Sequence, residues 1–417
     1  MNTRVHETDP GMSFSYAPTW HSFASRVVWG WLHYTYALIL VAVLVMVYLN
    51  LPNYGNTLNS ALAPKYFYFT VAFLLCPLFV QSKALLAYIL SPFALWAFIC
   101  LILNLIHLLG VADGEFARMQ IILMRIQYLM LTLLLGFAFA YARTASYEWV
   151  FPLIAFVAPA IVILDFIVPS LLYPSGTPGT VPGRASATYI NPTIAGEVIL
   201  LAYVMAIPAL KMVYRTPLLI LAGIGVTLTF SRSSIIAWIA LWVILQSRRV
   251  LPKSAFLLLV AGLISIPLLI TGFSSYIENR HDLTEAVTDL QSRLNFFSQM
   301  QLDDRSAAGR SAMLQAGWNL FLEYPVEGAG AGATYVWWHS LGVHNQLILF
   351  AAEYGLAGLL LWMSLGIVLA RGKYFEDKSL QLTVLFLFVF NSMFTHNMLD
   401  MLHWLLTFAL VSGRRRT

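Results

Sequence analysis

Four basic residues, far apart in the sequence, could act together on a phosphorylated substrate. They are Arg184, Arg232, Arg310 and His344. A guanidinium group can donate two parallel hydrogen bonds to one phosphate, so several arginines at one site are typical of a phosphate or pyrophosphate ligand. A histidine titrates near neutral pH and could remove a proton from a hydroxyl group there. If the four residues meet, they predict chemistry on an anionic group.

Each of these residues also has a purely structural interpretation. Arg184 could be a solvated loop charge, and Arg310 could form a surface salt bridge with the acidic residues just before it. Arg232 could pair with a carboxylate or extend towards the membrane surface. His344 and Asn345 could do no more than cap the helix that follows them.

The composition places these residues in an all-α polytopic membrane protein. Of the 417 residues, 59% are hydrophobic and only 10% are charged, too few polar residues to cover a soluble protein of this size. Apolar runs of roughly 17–25 residues recur, each long enough to cross ~30 Å of hydrocarbon as a helix. Twelve spans are predicted, at about 28–49, 66–81, 84–109, 119–141, 149–172, 189–210, 217–230, 233–246, 254–273, 344–370, 380–395 and 398–412.

The distribution of lysine and arginine predicts the orientation of the chain. With a cytoplasmic N-terminus, most of these cations fall in loops that face the cytoplasm, as the positive-inside rule requires. Three parts follow: spans one to nine over 1–273, one large outer loop over 274–343, and the last three spans with a cytoplasmic tail over 344–417. All four basic site candidates then lie on the outer face.

The outer loop is predicted to contain helices and a glycine-rich turn. Apolar residues at helical spacing indicate an amphipathic helix over 281–300, and a second helix over about 311–322 should stop before Pro325. The run GAGAG over 328–332 is typical of a hinge or a close-approach turn. Trp337 and Trp338 could contact sugar or lipid, although tryptophans near a membrane surface are more often part of an aromatic belt.

Acidic residues inside the apolar runs are the remaining candidates. Glu353 lies nine residues beyond His344, about 13 Å deeper at ~1.5 Å per residue, where an acid is either functional or paired. Asp165, Glu197 and Asp400 are single charges with no assigned role. The sequence contains no HEXXH motif and no glycine-rich nucleotide loop after a strand, so neither a metal nor another cofactor is expected.

Three segments resemble the O-antigen ligase and polymerase superfamily. The first is GRSAMLQAGWNLFLEYPVEGAGAG followed by HNQLILFAAEYGLAGL: an arginine-bearing helix, then P-x-x-G-x-G, then H-N-x-x-L with E-x-G-x-x-G. The other two are GRASATYINPTIAG and TLTFSRSS. Together they cover about 184–360, and the layout with one dominant outer loop before the tenth span extends the likeness to nearly the whole chain.

The resemblance implies a GT-C-like glycosyltransferase of the Gram-negative inner membrane with its active site facing the periplasm. It would transfer O-antigen from undecaprenyl pyrophosphate to lipid A-core, with inversion, without a metal and without a nucleic-acid partner. Arg184, Arg310 and Arg232 would bind the pyrophosphate, and His344 would act as general base. Asn345 and Glu353 would support them. Two alternatives stay open: an O-antigen polymerase, which differs in its acceptor, and a transporter for small anions.

Overall fold

A computed structural model describes residues 20–80, 82–112, 114–173, 184–258, 260, 305–337, 339, 342–395 and 397–413. The regular structure in these ranges is helical. The amphipathic helix predicted over 281–300, most of the predicted ninth span and Trp338 lie outside the described residues.

The helices follow one another in the order that the apolar runs predict. They are α1 Trp20–Tyr48, α2 Leu51–Leu58, α3 Pro64–Leu75, α4 Ser82–Ile89, α5 Pro92–Leu109, α6 Phe116–Tyr141, α7 Val150–Ile167, α8 Pro169–Leu172, α9 Pro192–Ala206, α10 Met212–Leu228, α11 Arg232–Ser247, α12 Arg305–Glu323, α13 Ala333–Val336, α14 Gln346–Arg371, α15 Lys378–Ser392 and α16 Leu402–Ser412. The outer-loop helix predicted over 311–322 is confirmed as α12, which begins earlier and ends before Pro325.

The described helices identify a membrane protein. Within the described ranges, six helices are long and apolar enough to cross a membrane, or seven if the bent pair Tyr34–Tyr48 and Leu51–Leu58 forms one span. Four more apolar helices, α10, α11, α15 and α16, are shorter. The all-helical membrane class is therefore confirmed, whereas the number of twelve spans and the outer position of the long loop stay predictions.

The predicted span over 84–109 is wrong as a continuous helix. The run 84–109 is divided into α4 and α5. Ser91 accepts a hydrogen bond from the amide of Ala94 at 3.3 Å and so caps the second helix, which then begins with Pro92. A proline at the first helical position lacks only an amide hydrogen that would have no helical partner there. Hydropathy does not detect this break, because both sides of it are apolar.

The central helix of the packing is α9. Every residue from Ala195 to Ala206 in it is buried. It packs against α7, α10 and α11, and a Cβ atom on Gly196 would meet the side chain of Ser234. Since Gly196 follows shortly after Pro192 and Ser234 shortly after Arg232, the first turns of α9 and α11 lie side by side.

Candidate functional site

Arg184 and Arg232 are brought together by one backbone turn. Arg184 Nε donates a hydrogen bond to the carbonyl oxygen of Thr229 at 2.9 Å. The amide of Ala185 donates to the carbonyl of Leu228 at 3.2 Å. This turn leads directly into α11, whose first residue is Arg232. Both arginines are half-buried. The structure therefore places these two arginines on adjoining segments, and their shared role in binding a phosphate stays a prediction.

The loop that carries Arg184 is held from behind by Asp165 and Tyr173. Asp165 Oδ2 accepts hydrogen bonds from the amides of Ser186 and Ala187, both at 2.8 Å. The hydroxyl of Tyr173 donates to the carbonyl oxygen of Ala187. Burial raises the pKa of Tyr173 to about 12, so this hydroxyl stays protonated and keeps its role as a donor. The single charge of Asp165 thus positions the arginine loop.

Arg310 and His344 lie at the same end of a pair of helices. Gly317 of α12 faces the start of α14, where an added Cβ atom would lie 2.9 Å from Ile348 and 3.1 Å from Val343. Further along, the carbonyl of Pro325 accepts a hydrogen bond from the amide of Leu356 at 2.8 Å. Residue numbers rise together along the two contacts, so the helices run in the same direction.

This parallel arrangement places the arginine near the histidine. Arg310 precedes Gly317 by about two helical turns, which puts it on the same face of α12 and about 10 Å nearer the N-terminal end. His344 stands at the corresponding end of α14, just before its first residue, Gln346. Arg310 is exposed and His344 is half-buried.

The cap of α14 is supplied by Asn345 and not by His344. The Asn345 side chain accepts a hydrogen bond from the amide of Ile348 at 3.0 Å, the geometry of a helix N-cap. His344 has a φ of 47°. Residues other than glycine rarely adopt a positive φ, and backbone strain of this kind is concentrated at functional sites. The capping interpretation is therefore confirmed for Asn345, whereas the role of His344 stays a prediction.

Trp337 is the one member of the tryptophan pair that the structure describes. It is half-buried, and its ring meets the ring of His339 edge-on with centroids 4.7 Å apart. Its predicted contact with sugar or lipid stays a prediction.

A buried ion cluster lies deeper in the same region, and its central residue was missed in the sequence. Arg125, in α6, is completely buried and forms an ion pair with Glu353 through Nη1. Its Nε donates to Asp400 Oδ1 at 2.7 Å. Glu353 is therefore a paired acid, and so is Asp400. The available signal was an arginine within the predicted span 119–141, since a charge at that depth has a partner or a function.

The ion cluster also holds the loop that follows α12. Thr334 donates its hydroxyl to Glu353 Oε1 at 2.6 Å, and Tyr335 donates its hydroxyl to Asp400 Oδ2 at 2.5 Å. Burial and the neighbouring carboxylate of Asp400 raise the pKa of Tyr335 well above its usual value, which keeps this donor protonated. Both carboxylates thus connect the membrane helices to the short helix α13.

The glycine-rich loop joins α14 where that helix is broken. Gly355 has a φ of 62° and a ψ of −144°, which interrupts the helical hydrogen bonds. The amides of Ala329 and Gly330 donate instead to the carbonyls of Ala352 and Glu353, at 2.8 and 3.0 Å. A Cβ atom on Gly328 would collide with the Glu353 backbone. The predicted close-approach turn is confirmed.

Two further residues that the sequence reading overlooked bind the same loop from α5 and α6. Arg118 donates from Nε to the carbonyl of Ala331 at 3.0 Å and from Nη2 to that of Ala329 at 2.9 Å. The ring nitrogen Nδ1 of His107 accepts a hydrogen bond from the amide of Ala331 at 2.8 Å. The loop backbone is therefore fixed by side chains as well as by α14.

Replacing Gly355 with alanine should destabilise the protein and reduce its activity. The new Cβ atom would meet the backbone of Val326 and would require a φ that alanine rarely adopts. A cost of about 1–3 kcal/mol is expected from the strain alone. Thermal unfolding in detergent measures it. Gly366→Ala is the matched control, because its Cβ would lie 3.9 Å from its nearest neighbours and should be tolerated. Equal stability of the two variants would contradict this account of the loop.

A comparison with known protein families covers much of this region. Residues 217–363 match a family model described as O-antigen ligase. The matched range includes Arg232, Arg310, His344 and Glu353, whereas Arg184, Arg125 and Asp400 lie outside it. None of the curated proteins matches the chain.

Proposed function

Because this chain belongs to the O-antigen ligase and polymerase superfamily, we propose that it is an O-antigen ligase. Members of this family are glycosyltransferase-like enzymes of lipopolysaccharide synthesis. The chain would transfer O-antigen polysaccharide from undecaprenyl pyrophosphate to a sugar hydroxyl of lipid A-core, at the periplasmic face of the inner membrane. No nucleotide would take part, because the lipid pyrophosphate already activates the donor.

The observation that supports the proposal is the pairing of basic residues in two places. Arg184 and Arg232 share the turn before α11, and Arg310 and His344 share one end of the α12 and α14 pair. Guanidinium groups match the oxygen geometry of a pyrophosphate. As the anomeric bond breaks, negative charge grows on the leaving pyrophosphate, and fixed cations there stabilise the transition state.

His344 would act as the general base. It is half-buried and lies just before the start of α14, and in this proposal its imidazole accepts the proton of an acceptor hydroxyl. Removal of the hydroxyl proton makes the oxygen a better nucleophile for the anomeric carbon. A single displacement of this kind inverts the anomeric centre. Asn345, Glu353 and the loop that Glu353 holds would keep the histidine in place, since catalytic groups act only in a narrow range of geometries.

The function is tested with purified protein in lipid vesicles. The vesicles contain undecaprenyl-pyrophosphate-linked O-antigen and lipid A-core, with EDTA in excess and no nucleotide. The expected product is lipid A-core carrying O-antigen. Elongated lipid-linked O-antigen in its place would identify the polymerase. Uptake of small anions by the vesicles without either product would favour the transporter. Loss of turnover with EDTA, restored by magnesium, would contradict the metal-independent mechanism.

Arg184→Lys should weaken donor binding although it preserves the charge. Lysine lacks the fork that can bind the Thr229 carbonyl and a phosphate at once, so a loss of about tenfold or more in donor affinity is expected. Titration with the lipid-linked donor measures it. Arg248→Lys, an exposed residue that follows the other end of α11, is the matched control and should bind like the wild type. A donor affinity of Arg184→Lys equal to that of the control would remove Arg184 from the pyrophosphate site.

A further inference from the structure

A cavity of about 390 Å³ lies at the end of the helices opposite to the candidate site. Its lining residues come from α4, the start of α5 and the ends of α6, α14 and α16. The far ends of α5 and α6 carry His107 and Arg118, which bind the glycine-rich loop, and α14 begins beside His344. At ~1.5 Å per residue, the 26 residues of α14 separate the two places by roughly 35–40 Å. The cavity is therefore not part of the candidate site.

Two cations, Arg371 and Lys373, lie in the wall of this cavity. Arg371 is the last residue of α14, and the turn after it is fixed, because the amide of Lys373 donates to the carbonyl of Gly413 at 3.0 Å. Both cationic side chains are exposed. Neither forms a salt bridge with a described residue, and none of the described lining residues is an aspartate or a glutamate. Their positive charge is therefore available to a bound anion.

Carbonyl groups at the two nearest helix ends are bonded within the protein. Gln381, in α15, donates from its side-chain amide to the carbonyls of Leu369 and Val411, the latter at 3.1 Å. The amide of Gly413 donates to the carbonyl of Leu410, also at 3.1 Å. These acceptors at the ends of α14 and α16 are thus engaged elsewhere, which leaves the two cations for another partner.

The start of α5 adds partial positive charge to the same cavity. Ser91 and Pro92 lie in its wall, at the break between α4 and α5. The amide groups in the first turn of a helix carry a partial positive charge that favours an anion. The break in the predicted span over 84–109 therefore has a consequence for binding, because it brings a helix N-terminus to the cavity.

The remaining wall is apolar and aromatic. The ring of Phe137 lies near those of Tyr88 and Tyr141, with centroids 5.9 and 6.4 Å away, and all three residues line the cavity. The helix that supplies one wall, α4, exposes Leu86 and, just beyond its end, Leu90, at 60% and 63%. Apolar side chains exposed on a membrane helix are expected to face lipid. Cations beside such a surface fit a ligand that joins a phosphate to apolar chains.

We propose that this cavity binds the headgroup of an anionic phospholipid. Arg371 and Lys373 bind the phosphate oxygens together with the start of α5, and the aromatic wall packs against the first carbons of the acyl chains. The lipid belongs to the cytoplasmic leaflet, because the predicted orientation places the end of α14 there. Lipid binding at this site does not depend on the proposed transfer reaction.

The test measures binding of acyl-labelled phosphatidylglycerol to the purified full chain in neutral detergent. Arg371→Gln combined with Lys373→Gln removes both cations, and a loss of about tenfold or more in affinity is expected. Both side chains are exposed, so thermal unfolding should be unchanged. Arg248→Gln combined with Lys253→Gln is the matched control. It removes the same charge from exposed residues that follow α11 and are not among the described lining residues, so affinity should fall by less than about threefold.

Two further ligands define the chemistry of the site. Phosphatidylcholine, whose headgroup has no net charge, should bind the wild type about tenfold or more weakly than phosphatidylglycerol. Glycerol 3-phosphate, which lacks acyl chains, should not displace the labelled lipid. Displacement by glycerol 3-phosphate would overturn the lipid in favour of a soluble phosphate ester. Equal binding of the two lipids, or equal losses in the two double variants, would overturn the site itself.

A second variant tests the cavity without a change of charge. Ala87 is exposed and lines the cavity, so Ala87→Trp should occupy part of the space while the fold is kept. The expected result is a loss of about tenfold or more in affinity for phosphatidylglycerol, because the tryptophan clashes with the bound headgroup. Leu86→Trp, at an exposed neighbour that is not among the described lining residues, should bind like the wild type. Full affinity in a folded Ala87→Trp protein would overturn the cavity as the binding site. Every readout is an affinity for a phospholipid, so failure of the transfer reaction leaves this test unaffected.

Discussion

Replacing His344 with glutamine is expected to slow glycan transfer by about 10²–10⁴-fold, the usual contribution of a general base. Glutamine preserves some hydrogen bonding and a similar bulk, but it cannot accept a proton near neutral pH. The donor should bind almost normally, because the pyrophosphate contacts come from the arginines. Single-turnover rates and donor titrations, both with wild-type protein in parallel, measure the two effects separately.

The control for this experiment is His339→Gln, the same change in the segment that precedes His344. His339 packs against Trp337 and has no proposed part in proton transfer, so its rate should stay close to that of the wild type. Stability gives a second check, because Asn345 and not His344 caps α14. A full rate for His344→Gln, or weakened donor binding as its only defect, would show that His344 is not the base.

Arg310→Ala should give a different pattern, in which donor binding is lost together with the transfer rate. The Arg310 side chain is exposed near the N-terminal end of α12. Its loss should therefore leave the fold intact while removing a counter-charge of the pyrophosphate. Donor affinity and transfer rate should therefore both fall. If Arg310→Ala and His344→Gln have the same defect, the division of roles between them is wrong.

The second large effect is expected in the buried ion cluster. Arg125→Met would leave the carboxylates of Glu353 and Asp400 buried without their cation. Removal of one partner from a buried ion pair costs about 3–5 kcal/mol. The loop bound through Thr334 and Tyr335 should loosen as well, so transfer activity should be lost together with stability. Thermal unfolding in detergent measures the loss.

A neutral version of the cluster separates charge from shape. Arg125→Met combined with Glu353→Gln and Asp400→Asn removes all three charges while preserving most of the volume, and it should recover much of the lost stability. Arg248→Met is the surface control, because Arg248 is exposed and should tolerate the change. A stable Arg125→Met protein, or a triple variant no better than the single one, would contradict the assignment of a charge-dependent cluster.

The sequence alone determined the features that depend on local patterns. Continuous apolar runs predicted the helical membrane class, because a segment in hydrocarbon must satisfy its backbone hydrogen bonds internally. Pro325 predicted the end of α12, and the run over 328–332 predicted a close backbone approach, because proline and glycine act on their own residue and its neighbours. The grouping of Arg184 with Arg232 followed from the positive-inside rule and the resemblance.

Only the tertiary structure decided which charges pair and where helices break. Arg125 meets Glu353 and Asp400 across 228 and 275 residues of chain, a choice that helix packing makes and that no local pattern records. The division between α4 and α5 and the interruption at Gly355 depend in the same way on caps and on neighbouring backbone. A cavity of about 240 Å³ exists because residues from α2, α9 and the 397–403 segment surround one space, and only the folded chain brings them together.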